Sequence, residues 1–199
     1  ATDLAADALF VTAGGGVAIE DVAGGLRVGV VSAIAGDVVL ATRDNVDPGD
    51  DLILSATAVA RAVTGAVTLL AGDDLSAAAG SLIDGAGAVL LRGDEGDADG
   101  GVGAKIELSG VIDGASVRVE GGADQDAIAL VGVRAATTVA GGGEEDLIHV
   151  GSNATATTNV GGTLAGVDAL LTLRVVDWGG RPERAGRVTL SDGTQTIEL

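Results

Sequence analysis

The chain has 199 residues, of which 29 are acidic, 11 basic and 34 glycine, and its formal net charge is −18. Hydrophobic residues make up 47% of it, almost all Ala, Val, Leu and Ile, while Phe10 and Trp178 are the aromatic side chains. It is too apolar for a disordered chain, has no apolar run near the roughly 18 residues of a membrane helix, and lacks the G-X-Y period of collagen.

In chain order, the opening ATDLAADALF has neither the basic start nor the apolar stretch of a signal peptide, so the chain reads as a piece of a longer mature protein. Residues 2–10 read as one or two helical turns, N-capped by Thr2 or Asp3. From residue 36 a short alternating strand recurs, each time followed by a glycine or acidic turn: GDVVLATRD, GAVTLLAGD, GAVLLRGDE, ASVRVEGGAD and ATTVAGGGEE. The stretch GVAIEDVAGGLRVGVV (16–31) reads as an earlier, degenerate copy of the same unit. The anchors of the repeat are Val38/Leu40, Val67/Leu69, Val89/Leu91, Val117/Val119 and Thr137/Val139, spaced by 29, 22, 28 and 20 residues. Each unit carries a second strand: DLILS, DLSAA, KIELSG, DAIALVG and DLIHVG. The segment 152–199 adds strands at 170–176, 186–191 and 194–199, together with Trp178.

Short strands in units of 20–29 residues, with insertions at fixed corners, predict an all-β fold: a right-handed parallel β-solenoid, or β-helix. Inward residues of each coil would stack on their counterparts in the next. A narrow interior suits aliphatic side chains, and Gly and Asp suit tight corners. A β-sandwich is the alternative, and it accounts less well for the composition. The expected organisation is a cap or degenerate first coil over 1–35, solenoid repeats over 36–151, and further coils or a cap over 152–199.

The acidic balance opposes nucleic acid and anionic membranes and favours cations, calcium first among them. The absence of cysteine removes disulfides and thiolate chemistry. G-x-S-x-G and G-x-x-x-x-G-K-[ST] do not occur, and the lone histidine, His149, reads as a packed or surface residue, so no enzyme is expected.

The elements "RD…GDDL.L", "AGDDL…GS", "GD.G.AD.G.G..I.L.G" and "GG.D.D.I.L", over residues 36–152, resemble repeats of very large bacterial exoproteins of the adhesin-like and hemolysin-type (RTX-like) calcium-binding kind. That resemblance implies a secreted or cell-surface structural or adhesive role. Its partners would be neighbouring solenoid segments or copies of itself end to end, surface glycans or another cell-surface protein. Insertion into a membrane is not implied.

Two places carry candidate cation ligands. GGADQDAIA (121–129) and GGGEEDLIH (141–149) resemble the calcium nonapeptide G-G-x-G-x-D-x-U-x, with Asp126 and Asp146 at the acidic position and Asp124 and Glu144 replacing its fourth glycine. The copies lie 20 residues apart rather than nine, so these turns also read as corners in which Asp caps backbone amides. EGDADGGV (95–102) sets Glu95, Asp97 and Asp99 at alternate positions, like half of a calcium loop without its closing glutamate; the other reading is a solvated acidic corner. DNVDPGDD (44–51) and GDD (72–74) read as turn chemistry first.

Overall fold

The computed structural model of the chain describes residues 8–46, 48–174, 187–191 and 196–198. Among them there is no helix; sixteen strands form one hydrogen-bonded sheet, parallel throughout except at its last pairing. The strands fall into three ladders that the chain visits in a fixed order. The first stacks β2 (Val17–Asp21), β4 (Val38–Thr42), β6 (Val67–Leu70), the second halves of β8 (Leu82–Arg92) and β10 (Val111–Glu120), β12 (Thr137–Ala140) and β14 (Leu171–Arg174). The second stacks the first halves of β3 (Leu26–Ala33) and β5 (Leu52–Ala62), then β7 (Leu75–Ala77), β9 (Lys105–Leu108), β11 (Ala127–Leu130), β13 (Leu147–Val150) and β15 (Arg187–Ser191). The third runs from β1 (Leu9–Ala13) through the second halves of β3 and β5 to the first halves of β8 and β10. β16 (Thr196–Glu198) turns back antiparallel on β15.

The register follows from the alternation. Side chains of one parity point inward, so a one-residue slip would turn every stack inside out. The sequence anchors are direct ladder partners: Val38 with Val67, Val67 with Val89, Val89 with Val117, and Val117 with Thr137. In the second ladder Leu52, Leu75, Ile106, Ile128 and Ile148 stack in turn, and all five are fully buried. Each such aliphatic contributes roughly 1.5–3 kcal/mol by leaving water. Among the described residues no aromatic side chain lies in this interior. Phe10 is 71% exposed on the outside, its ring lying over Gly29.

The third ladder is built from smaller residues. Its inward stack is Val31, Ala60, Ile83 and Ile112, and beside it Ala33, Ala62, Gly85 and Gly114 line up. The arrangement is consistent with a β-solenoid. The helical turns expected over 2–10 are corrected in part: residues 1–7 lie outside the described residues, and Leu9 and Phe10 belong to β1, held by parallel pairing to Val28 and Val30. In the C-terminal segment β14, β15 and β16 fall within the expected strands, whereas Trp178 lies outside the described residues.

Candidate functional site at the acidic corner

Between the first and second ladders the chain turns a corner, and most of the acidic motifs sit there. Two positions before the first inward residue of each second-ladder strand stand Gly24, Asp50, Asp73, Ala104, Asp126 and Asp146. At four of these positions the backbone amide donates to the carboxylate of the following layer: Gly24 N to Asp50 Oδ1 at 3.0 Å, Asp50 N to Asp73 Oδ2 at 2.9 Å, Ala104 N to Asp126 Oδ1 at 2.7 Å, and Asp126 N to Asp146 Oδ1 at 3.1 Å. One residue further on the direction reverses. Asp74 N donates to Asp51 Oδ1 at 3.2 Å, and Lys105 N to Asp74 Oδ1 at 2.8 Å. The carboxylates thus replace the ladder carbonyls where the backbone bends away, answering the demand that buried amides find acceptors.

The paired glycines serve the same corner. The Asp126 carboxylate lies against Gly121 and also accepts the Gly122 amide at 2.7 Å. Asp146 lies against Gly141 in the same way, and a Cβ on either glycine would collide with the carboxylate. Gly142 has φ +129° and stacks on the Gly122 carbonyl, which leaves no room for a side chain. Burial pushes Asp126 up to about 7, with the charges of Asp146 and Asp94 adding to it and the amides of Gly122 and Ala104 opposing it. Burial likewise raises Asp146 to about 6, with Glu144 adding; its Oδ2 is buried without a hydrogen-bond partner. Glu144 itself is exposed, with φ +58°.

The loop 93–104, between β8 and β9, divides the other candidate residues. Glu95 turns to Arg92 at 2.6 Å, and Arg92 is shared with Glu120, which also takes Arg118. Asp97 and Asp99 face different neighbours. A carboxylate oxygen of Asp97 lies within 4.8 Å of one from Asp94 and one from Asp124, and Asp99 stands in the same relation to Asp44 and Asp73. The loop is tied down on both sides, since the Gly101 amide donates to Asp124 Oδ2 at 2.5 Å and the Ala98 amide donates to Asp44 Oδ2. Burial raises Asp94 to about 6, with Asp97, Asp124 and Asp44 adding to the shift, and it raises Asp44 as well, with Asp99, Asp73 and Asp50 adding. Sequence reasoning singled out Asp97, Asp99 and Asp124 but missed Asp94, Asp44 and Asp73 as their companions. Asp94 stands three residues before Asp97 in the same loop, whereas Asp44 and Asp73 lie 55 and 26 residues before Asp99 and no local spacing connects them to it.

His149 is 5% exposed because segment 151–166 folds back over the outer side of the second ladder. Its Nδ1 donates to the Thr155 carbonyl at 2.7 Å, and the Ala156 amide donates to Glu107 Oε1 at 3.0 Å. This is packing, and it explains why Thr137 and its partner Leu171 lie 34 residues apart. Comparison of the chain with family models, with curated proteins and with solved structures finds no match.

Proposed function

We propose that the chain is a non-enzymatic structural segment of a secreted or cell-surface bacterial repeat protein. It would be a right-handed parallel β-solenoid with coils of about 20–29 residues, acting as a stiff rod or a fibre-forming subunit. The observation that carries this reading is one aliphatic stack running without interruption from Ile19 through Leu40, Leu69, Leu91, Val119 and Val139 to Leu173. At a strand spacing of about 4.8 Å, that stack is roughly 29 Å tall. Every layer is hydrogen-bonded to the next and wedged by interlocked aliphatics, so bending the stack means breaking both. Neighbouring solenoid segments or further copies would continue the ladders end to end. β1 and β2 each pair on one side only among the described residues, and such strand edges are templates for addition. Surface glycans or another cell-surface protein would be met by the outer faces.

A calcium-dependent folding module of RTX type is the competing reading. The amides that Asp126 accepts weigh against it, because they satisfy both oxygens of that carboxylate without an ion. Pulled from its two ends in an optical trap with EDTA present, the chain is expected to yield in steps of one coil, about 7–10 nm each at full extension. A chain that resists only after calcium is added would establish the competing reading. A chain that extends smoothly with and without calcium would overturn both.

A further inference from the structure

We propose that Asp94, Asp97 and Asp124 bind one divalent, oxygen-seeking cation of the calcium class, which clamps the loop 93–104 to the layer that comes after it. This goes beyond the structural role proposed above and stands without it. Three observations carry it. One carboxylate oxygen from each residue lies within 4.8 Å of the other two, a spacing that fits oxygens placed about 2.3–2.6 Å from a common ion.

Asp94 is only 5% exposed, and its buried Oδ1 has no hydrogen-bond partner, while Oδ2 accepts the Ala123 amide at 3.0 Å. A buried carboxylate oxygen left without a partner is expensive, and a cation is the partner this cluster of three acids lacks. The positive charges closest at hand are already committed, Arg92 to Glu95 and Glu120, and Arg118 to Glu120. Among the described residues no ion pair reaches Asp94, Asp97 or Asp124.

Access and coordination fit the same ion. Asp97 is exposed, and Asp94 and Asp97 line an open cleft of about 620 Å³ whose floor is the glycine backbone of 121–122 and 141–143. That space admits the waters needed to complete a shell of about 6–8 oxygens. Asp124 comes from the first nonapeptide-like segment, but the acidic position of that motif takes no part, since Asp126 spends both oxygens on amides. In the triad of Asp44, Asp73 and Asp99, Asp44 Oδ1 is also buried without a partner, but Asp44 is only half-buried. Asp73 Oδ2 already accepts two amides, from Gly49 and Asp50 at 2.5 and 2.9 Å, whereas no carboxylate oxygen of Asp94 or Asp124 takes more than one. The ion is therefore placed at Asp94, Asp97 and Asp124.

The test is calorimetric titration of the chain with calcium chloride at physiological salt, alongside thermal melts with and without millimolar calcium. One saturable equivalent is expected, with a higher melting midpoint when calcium is present. Asp97→Asn, at an exposed position, is expected to fold as the parent does, weaken binding by about tenfold or more, and remove the calcium-dependent rise in midpoint. Asp99→Asn is expected to change neither. Absence of saturable binding, binding untouched by Asp97→Asn, or loss in Asp99→Asn instead would each overturn the assignment.

Discussion

Replacing Gly142 by alanine is expected to lower the stability of the chain by about 3 kcal/mol or more, a fall in melting midpoint of roughly 10 °C. Two effects add. The residue has φ +129°, a backbone region that side chains disfavour, and its Cβ would be driven into the Gly122 carbonyl of the layer beneath. A flexible side chain could move aside, but a backbone carbonyl in a stacked corner has nowhere to go. Gly14→Ala is the internal control. A Cβ there meets nothing within 4 Å and φ is not positive, so the midpoint should stay where it is. Circular dichroism melts of the two variants check the pair; equal effects at both positions would contradict the stacked corner.

Asp126→Ala is expected to cost about 2 kcal/mol at mildly acidic pH, because it strands the Ala104 and Gly122 amides. The size of the loss should depend on pH, and its sign is fixed by the direction of the shift. The folded chain holds the Asp126 proton up to about pH 7, whereas an unfolded aspartate releases it near 3.8. The native state therefore binds more protons between those values, and stability rises as pH falls from 8 towards 5. Asp94 and Asp146, both raised to about 6, push the same way. Melts in EDTA should show the parent gaining stability on acidification. The alanine variant should gain less, so the gap between the two widens as pH falls. A parent whose midpoint drops steadily from pH 8 to 5 would show that the corner carboxylates are stabilised as anions, contrary to this account.

Much of the fold could be read from the sequence, for a physical reason. The pairs Val38/Leu40, Val67/Leu69 and Val89/Leu91 recur because stacked parallel strands need like side chains at like positions, so the repeat in sequence is the register in space. The third ladder left a fainter trace. AVARA, LIDGA and VIDGA mix Ala, Gly, Asp and Arg where the core is narrow, and Arg61 and Asp84 form an outward ion pair at 2.9 Å in the middle of it. Small residues fill that space without producing a hydrophobic alternation. The candidate site was legible only in part. Evenly spaced carboxylates at 95, 97 and 99 suggest one loop-borne site, yet the loop presents its acids to two layers and commits Glu95 to Arg92. Which acid meets which depends on how far each corner insertion reaches, and residues such as Asp44 and Asp124 enter from other layers. The covering of His149 by segment 151–166 is likewise a long-range packing event that no local pattern announces.

The central claim is that residues of successive repeats stack in one register, and cysteine cross-linking tests it most directly because the chain has no cysteine of its own. Thr68 and Leu90 are ladder partners with outward, half-buried side chains. Parallel partners stand about 4.8 Å apart, within the roughly 4.4–6.8 Å that a disulfide spans. The double variant Thr68→Cys with Leu90→Cys is predicted to close one intramolecular disulfide under mild oxidation, read as a mobility shift on a non-reducing gel and a mapped cross-linked peptide. The displaced pair, Thr68→Cys with Arg92→Cys, is predicted to stay open. Closure of the displaced pair while the registered pair remains reduced would contradict the stacked ladder and the rod built on it.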